Sequence, residues 1–333
     1  MIKKILKPLV PVASRKFPKM LAKFYKYRAI DNDKYNQKKM PIEMQIEITT
    51  KCSARCIMCG HNDLKNIAFP IKDIDLRIID RIKKVILDNY SDRIINICLF
   101  GVGEPLLCHN IFEIMKKLDM ANVFFIIYTT GFNMTQDLAN RLVKNERLKL
   151  VFSLNKKDKN SYRELMGVDK FNESINGIKV FLEEREKNNK AVGVQIKFFD
   201  DCEDFPLPEV DEFIRNYRDI SIKYTPILYN AESKTLYPKN YYFYRYPCIE
   251  LMSRFIYIDV DGGVYKCCQS LQNSSRGKAN DLYLGNIMDL DYDTKKEYKM
   301  AMSEFKSQMH GEYGEYIKSC KKCLDHSVSY KIK

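Results

Sequence analysis

The stretch TTKCSARCIMCGHND, residues 49–63, carries three cysteines within eight residues. Cys52, Cys56 and Cys59 are separated from one another by three and by two residues. Iron–sulfur clusters are held by cysteine thiolates, so three thiols on one loop match three corners of a four-iron cluster and leave one iron open. Zinc is the alternative, although a structural zinc ion takes four ligands. His61 is the fourth candidate for zinc, but it stands only two residues beyond Cys59.

A second group of cysteines stands in the C-terminal part of the chain. It consists of Cys248, Cys267, Cys268, Cys320 and Cys323, and the last two form a Cys-x2-Cys pair. Four thiolates complete the coordination of either an iron–sulfur cluster or a structural zinc ion. Both interpretations stay open on the residues alone, and either one leaves a spare cysteine.

The hydrophobic pattern sets the first cysteines directly after a strand. Six strand patterns alternate with helical patterns between residues 42 and 228. The predicted strands are 42–49, 94–100, 123–131, 148–155, 192–200 and 220–227, and the predicted helices are 71–89, 110–121, 137–145, 173–189 and 209–218. Such alternation predicts an α/β fold with a parallel sheet. Polar residues and glycines follow the strands, at the edge where α/β folds carry their sites.

The alternation stops near residue 230. A tyrosine-rich stretch at 237–247 is interpreted as a connector, and residues 254–268 predict a hairpin that turns at Asp261-Gly262-Gly263. A short strand pattern at 282–287 precedes a helix-rich stretch. The sequence therefore predicts three parts: a basic extension at 1–40, an α/β domain at 41–232 and a small C-terminal α+β domain at 233–333.

Composition and charge limit the partners and the compartment. The chain has 333 residues, 45% hydrophobic and 30% charged, which is a globular composition. Most of the net charge of +13 belongs to residues 1–40, which hold twelve Lys or Arg and two Asp. This arm predicts either contact with a membrane surface or another anionic partner, or a solvated helical extension. No apolar run is long enough to span a bilayer, and we expect a cytoplasmic protein with reduced cysteines.

The Cys-x3-Cys-x2-Cys loop after a first strand resembles the signature of the radical S-adenosylmethionine (radical SAM) enzymes. The turns GVGEP at 101–105, YTTG at 128–131 and FSLN at 152–155 resemble further motifs of that family. The resemblance implies a partial (β/α)6 TIM-like barrel with a [4Fe-4S] cluster on Cys52, Cys56 and Cys59. It also implies S-adenosylmethionine on the open iron, cleaved reductively to a 5′-deoxyadenosyl radical that abstracts a substrate hydrogen atom. The implied cofactor contacts are Met58, Gly101, Gly103, Glu104, Pro105, Thr129, Ser153 and Arg163.

Two positions depart from the family pattern. Asn155 and Lys156 stand where relatives have Asp-Gly, and Met166 stands where many relatives have an arginine that contacts the cofactor. Arg163 comes one turn before Met166 on a predicted helix, and residues three apart share a helix face. We therefore expect Arg163 to replace the missing arginine.

The C-terminal part resembles the SPASM/twitch auxiliary domains found in a branch of the same superfamily. The resemblance runs over PCIELMSRFIYIDVDGGVYKCC, LGNI and CKKC. It implies one auxiliary [4Fe-4S] cluster, twitch-like, with Cys248, Cys267, Cys320 and Cys323 as ligands and Cys268 as the spare thiol. A structural zinc on the same four ligands is the alternative.

An auxiliary cluster with four thiolates implies an oxidation in which it accepts the second electron. We expect an oxidoreductase that dehydrogenates a hydroxylated small molecule, such as a sugar or an aminocyclitol. The alternatives are modification of a peptide or protein side chain (a maturase, an epimerase or formylglycine-type oxidation), and a non-enzymatic iron–sulfur module. Asp200, Asp201 and Tyr224 are the candidate proton acceptors, and Cys202 is a candidate hydrogen-atom donor. A flavodoxin- or ferredoxin-type protein is the expected electron donor, and no nucleic-acid partner is expected.

Overall fold

The computed structural model describes about three fifths of the chain. The described residues are 42–57, 59, 71–189, 191–199, 216–217, 219–225, 241–245, 248, 251, 255–268, 280–289, 303–308, 310, 312 and 327–331. Several sequence predictions lie outside them: the basic arm 1–40, most of the helix at 209–218, and the site candidates Met58, His61, Asp200, Asp201, Cys202, Cys320 and Cys323.

Six strands and five helices alternate along the first part of the chain. The strands are β1 (Ile42–Ile46), β2 (Ile95–Leu99), β3 (Val123–Thr129), β4 (Leu148–Asn155), β5 (Gly193–Phe199) and β6 (Ile220–Thr225). The helices are α1 (Leu76–Tyr90), α2 (Ile111–Leu118), α3 (Gln136–Leu142), α4 (Lys159–Met166) and α5 (Phe171–Lys187), with a 3-10 turn at Pro105–Leu107. The alternation read from the sequence is therefore present.

The strands form one open sheet. Strands β1 to β6 lie side by side in chain order, and each pairs in parallel with the next. Parallel neighbours need a crossover, and the described helices supply it between the successive strands from β1 to β5. The predicted α/β class with a partial TIM-like barrel is confirmed, and the sheet is not closed, because β6 is an outer strand in the described sheet.

The helices cover one face of this sheet and bury its alternate residues. In α1, apolar side chains recur at helical spacing, and Ile79, Ile82 and Ile86 are fully buried. The helix begins after Asp75, whose carboxylate accepts a hydrogen bond from the Arg77 backbone N–H. On the strands, the residues at positions 42, 44, 46, 95, 97, 99, 123, 125, 127, 148, 150, 152, 194 and 196 belong to the same core.

We call the opposite face of β1 to β6 the inner face. Because side chains alternate along a strand, the residues between those of the core point there. The register aligns them in rows, one of which runs through Gln45, Cys98, Ile126 and Lys149. At each register position the inner face thus carries one side chain from each strand.

The C-terminal part adds three strands to the same sheet. They are β8 (Phe255–Ile258), β9 (Gly263–Tyr265) and β10 (Tyr283–Asn286). Strands β8 and β9 form the predicted hairpin, and β8 pairs in parallel with β1 along the register Glu43 to Phe255. The buried carboxylate of Asp259 accepts hydrogen bonds from the backbone N–H groups of Asp261 and Gly263 and so fixes the turn.

A two-stranded antiparallel sheet contradicts one interpretation of the sequence. The tyrosine-rich stretch read as a connector contains strand β7 (Tyr241–Arg245), which pairs with β11 (Ser327–Lys331). Aromatic residues favour strands, and this preference outweighed the connector pattern. None of the helices in the described part of the chain combines the length and the hydrophobicity that a bilayer span requires.

Candidate metal centre

The cysteine loop leaves the carboxyl end of β1 and is held against the end of α4. The backbone N–H of Arg55 donates to the carbonyl of Met166 at 2.9 Å, and that of Ile57 donates to Leu165 at 3.0 Å. Helix α4 ends at Gly167, whose φ of 65° is the left-handed conformation that favours glycine. A side chain at Gly167 would also overlap the Arg55 carbonyl, at 2.2 Å from its Cβ. The loop is therefore fixed by backbone contacts.

An ionic clamp fixes the first residues of the loop. Asp73 accepts a hydrogen bond from Thr49 Oγ1 at 2.7 Å and forms an ion pair with Lys51 Nζ at 2.8 Å. The His109 backbone N–H donates to the same carboxylate at 3.2 Å. Burial alone would raise the pKa of Asp73, but these donors hold it below its ordinary value. The segment that leads to Cys52 is thus tied to the start of the next helical unit.

The three predicted thiols lie on this loop within electrostatic reach of one another. All three are half-buried. Burial raises the pKa of the Cys52 thiol. Burial also raises the pKa of Cys56 well above its ordinary value, and the neighbouring Cys59 and Cys52 raise it further. Uncompensated thiolates repel one another here, so a bound cation would stabilise the deprotonated loop.

The GVGEP turn after β2 lies directly against the cysteine loop. Gly103 has no room for a side chain, because its Cβ would lie 2.1 Å from the Thr49 carbonyl oxygen. The next backbone N–H, that of Glu104, donates to the Lys51 carbonyl at 2.7 Å. A Cβ at Gly101 would lie 2.5 Å from Cγ of the Glu47 side chain. Gly103 is thus required by the approach of two backbone segments, and Gly101 by the position of the Glu47 side chain.

Glu104 is buried and ties the turns after β2 and β3 together. Its carboxylate accepts from the Thr130 backbone N–H at 2.8 Å, from Thr130 Oγ1 at 2.7 Å and from the Leu106 N–H at 3.3 Å. Burial raises its pKa, while hydrogen bonds from Thr130 and Thr129 act in the opposite direction. Pro105 follows as the first residue of the 3-10 turn.

The end of β4 contributes a further contact with the loop. Asn155 has a φ of 63°, which for a residue other than glycine marks local strain. Its Nδ2 lies 3.3 Å from the thioether sulfur of Met166, which in turn lies 3.6 Å from Cys56 Sγ. Ser153 is half-buried on the inner face, two residues earlier. Met166 is buried among these groups, in the region where relatives have an arginine.

Other predicted site residues are not brought together by the described structure. Arg163 is exposed, whereas Tyr162, Leu165 and Met166 form the buried side of α4. Tyr224 lies on β6, where its backbone pairs with Phe198.

The described cysteines of the second group gather around one small core. Its buried residues are Val102, Leu251, Tyr257, Tyr265, Leu282 and Phe305. Cys248, Cys267 and Cys268 pack against this second core, and so does Cys59 of the first loop. The backbone N–H of Cys248 donates to Gln308 Oε1 at 2.8 Å. The two cysteine groups therefore share an apolar wall.

Sequence reasoning missed the role of Glu47. This fully buried glutamate accepts from the Val102 N–H at 3.1 Å and from the Val260 N–H at 3.4 Å. It therefore joins the GVGEP turn to the C-terminal hairpin. A charged residue inside an apolar strand pattern was the available signal, since a buried charge requires partners. The Asp73 clamp gave no comparable signal, because its partners are distant in sequence.

The donor set fits an iron–sulfur cluster. Among the described residues, no three His, Cys, Asp or Glu side chains converge as the ligands of one metal ion do. A four-iron cluster requires less convergence, because each thiolate binds a different iron. Three soft sulfur ligands on a fixed loop suit such a group. The buried hydroxyl of Ser53 on the same loop makes no hydrogen bond in the described part of the chain.

Comparison with known proteins agrees with this geometry. Residues 46–203 match the Radical SAM superfamily. This span contains the cysteine loop, the GVGEP turn, and strands β2 to β5. No curated protein is similar enough in sequence to match the chain.

Three solved structures share the fold at low identity. Native anSMEcpe with bound AdoMet and the Cp18Cys peptide superposes with a TM-score of 0.56 at 15% identity, covering 87% of this chain and 89% of that one. BtrN in complex with AdoMet and 2-DOIA gives 0.50 at 14% identity, covering 86% and 93%. Streptococcus suis SuiB bound to S-adenosylmethionine gives 0.50 at 14% identity, covering 82% and 70%.

Proposed function

Because the chain carries a radical SAM domain, we propose that it cleaves S-adenosylmethionine reductively and removes a hydrogen atom from a bound substrate. The observation that supports this most directly is the loop of three half-buried thiols, held between β1, the GVGEP turn and α4. The family implies both the cofactor and a [4Fe-4S] cluster. When bound, the two together supply a 5′-deoxyadenosyl radical.

The chain's own residues would hold and orient these groups. Cys52, Cys56 and Cys59 would bind three irons, because each thiol sits on the same fixed loop. The backbone at Gly101 and Gly103 comes close to the loop and offers carbonyl acceptors for an ammonium group. Ser153 would contact the cofactor from the inner face of β4. Pro105 and Thr129, with Met58 outside the described residues, complete the proposed set, and the exposed Arg163 is its weakest member.

We further propose an auxiliary [4Fe-4S] cluster on Cys248, Cys267, Cys320 and Cys323. Packing of the first two thiols around the second core supports it. The same core contacts Cys59, so an auxiliary cluster there would lie beside the first one. Such an arrangement suits an oxidation, in which a second electron leaves the substrate radical together with a proton.

The reaction we favour is dehydrogenation of a hydroxylated small molecule. Asp200, Asp201 and Tyr224 remain the candidates for the proton acceptor, since all three follow or belong to strands at the carboxyl edge of the sheet. Cys202 would act instead as a hydrogen-atom donor if the product is an epimer. A flavodoxin- or ferredoxin-type protein would deliver the first electron, and the basic arm at 1–40 would contact an anionic partner.

Formation of 5′-deoxyadenosine tests the proposed chemistry. Anaerobically reconstituted protein, reduced with dithionite, is expected to release 5′-deoxyadenosine from S-adenosylmethionine. Replacement of Cys52, Cys56 and Cys59 by Ala should abolish the release. The matched control is Cys108→Ala, which removes a buried thiol whose contact is the Ile48 carbonyl rather than the loop. Equal release by the triple variant and the control would refute the proposal.

Isotope transfer separates the small-molecule reaction from peptide modification. The anSMEcpe structure with a bound peptide makes the peptide reaction the second candidate. Deuterated sugars and deuterated Cys- or Ser-containing peptides are each incubated with the enzyme and S-adenosylmethionine. Deuterium in 5′-deoxyadenosine from the sugar arm supports dehydrogenation of a small molecule, and deuterium from the peptide arm alone contradicts it.

A further inference from the structure

Three lysines line the inner face of the last three strands of the barrel. They are Lys149 on β4, Lys197 on β5 and Lys223 on β6. Lys149 and Lys197 alternate with core residues such as Leu148 and Ile196, and Lys223 is paired with Lys197 in the sheet register. A basic surface therefore covers the inner face of β4 to β6, at the opposite end of the strand order from β1.

Two of these lysines are level with the carboxyl ends of the strands. In the sheet register Ser153 is paired with Lys197, and Lys197 is paired with Lys223. Adjacent strands are about 4.8 Å apart, so the two lysines project from neighbouring strands beside the expected cofactor contact. Lys197 Nζ lies 5.5 Å from the centre of the Phe199 ring. An anionic group of a ligand would interact favourably with both lysines.

The third lysine lies deeper and is partly desolvated. Lys149 Nζ donates to Gln195 Oε1 at 3.3 Å, and Gln195 Nε2 donates to Ser221 Oγ at 3.2 Å. Burial lowers the pKa of Lys149, and the charge of Lys223 lowers it further. Within the described part of the chain, no carboxylate forms an ion pair with Lys149 or Lys223. In a lysine that is fully solvated at the surface, burial and a like charge would not lower the pKa to this extent.

Acidic residues on the inner face lie across the sheet from the lysines. Glu43 and Glu47 belong to the β1 edge, and Glu47 is already engaged with Val102 and Val260. Gln45 donates to Glu43 at 3.3 Å. Among the described residues, the inner face is therefore polarised, with carboxylates on β1 or directly after it and lysines on β4 to β6.

We propose that this lysine face, Lys149, Lys197 and Lys223, binds an anionic group of a small substrate beside the cofactor. This inference rests on the proposed function for its location but deepens it by naming the charge of the substrate. Phosphate and carboxylate share the required chemistry, and lysine binds either one as a point charge. A cationic aminocyclitol is disfavoured at this face, because its ammonium group would meet three others.

Binding of matched sugars tests the charge without any turnover. Isothermal titration calorimetry on the reconstituted holoenzyme with S-adenosylmethionine compares glucose 6-phosphate, glucuronate, glucose and glucosamine. We expect at least one anion to bind about tenfold or more tightly than both glucose and glucosamine, with the affinity falling as salt screens the charges. Tighter binding of glucose 6-phosphate identifies the anion as a phosphate, and tighter binding of glucuronate identifies it as a carboxylate.

Variants locate the binding to the lysine face. The double variant Lys197→Gln/Lys223→Gln should bind the preferred anion at least tenfold more weakly than the unaltered protein. The control is Lys84→Gln, an exposed lysine of α1 on the helical side of the sheet, which should bind as the unaltered protein does. Circular dichroism and the melting temperature check that the variants are folded.

The outcomes separate this inference from the proposed function. Equal or tighter binding of glucosamine relative to both anions, or unchanged anion binding by the double variant, overturns the inference. Failure of the unaltered protein to release 5′-deoxyadenosine while it still binds the anion through these lysines overturns the proposed function and leaves the inference standing.

Discussion

Replacement of Gly103 by Ala is expected to displace the cysteine loop. The added Cβ would lie 2.1 Å from the Thr49 carbonyl oxygen, 2.7 Å from its carbonyl carbon and 3.0 Å from the Lys51 carbonyl oxygen. All three neighbours are backbone atoms, and ordinary contacts begin near 3.4 Å, so the two segments must separate by about 1.3 Å. That movement would also stretch the 2.7 Å hydrogen bond from Glu104 N–H to the Lys51 carbonyl beyond its useful range.

The expected cost follows from these two effects. Overpacking of this kind costs about 1–3 kcal/mol, and the lost backbone hydrogen bond adds about 1 kcal/mol. The melting temperature should fall by about 4–16 °C, at roughly 2–4 °C per kcal/mol for chains somewhat shorter than this one. Because Thr49 and Lys51 lead directly into Cys52, the first cluster should assemble poorly, with a loss of about four irons per chain.

Gly193→Ala is the matched control for this variant. Its Cβ would come no closer than 3.4 Å to any atom, and that atom belongs to the flexible side chain of Lys149. Iron and sulfide counts, with melting curves of the anaerobically reconstituted proteins, compare the two. If the Gly103 variant retains the iron content and melting temperature of the Gly193 variant, then the close approach of the turn to the loop does not organise the cysteines.

Three other perturbations separate roles within the site. Asp73→Asn should destabilise the protein by about 1–2 kcal/mol at neutral pH, because the charged clamp is lost. Folding lowers the pKa of Asp73, so this loss of stability should be complete above the unfolded pKa and disappear as the pH falls through the folded pKa. Urea unfolding at several pH values measures it. Met166→Ala should lower stability by about 2–4 kcal/mol, because it leaves a cavity beside Cys56. Arg163→Ala should change stability by less than about 0.5 kcal/mol. A marked loss of S-adenosylmethionine binding in the Arg163 variant would instead establish that arginine as a cofactor contact. Cys267→Ser should remove about four irons per chain while Cys268→Ser keeps them, and the reverse result would exchange ligand and spare thiol.

The parallel core was predictable from the sequence because its signal is local. In strand β4, buried apolar residues alternate in part with half-buried polar ones, and the predicted bounds 148–155 are the observed ones. The ends of other strands were predicted less closely. The predicted strand 42–49 stops at Ile46, and the chain beyond it forms an isolated bridge with Asp73. The three loop cysteines were recognisable for the same reason, because their spacing is contained within eight residues.

Contacts between distant segments could not be read from the sequence. The pairing of β8 with β1 joins residues more than 200 positions apart, and no turn signal announces it. The exchange of Met166 for an arginine was visible, but the exposure of Arg163 depends on how α4 packs, which tertiary contacts decide. The charge of the lysine face emerges only from the register, because its members come from three separate strands.

The position of β8 has a practical consequence for dissecting this molecule. With β8 in place, the opening strand of the barrel has hydrogen-bonded neighbours on both sides. A chain cut after residue 232 would leave that strand with a bare row of amide and carbonyl groups, which invites self-association. The buried Glu47 carboxylate would lose Val260 in the same cut. The catalytic half therefore depends on the hairpin that follows it, and the two should be produced and studied as one piece.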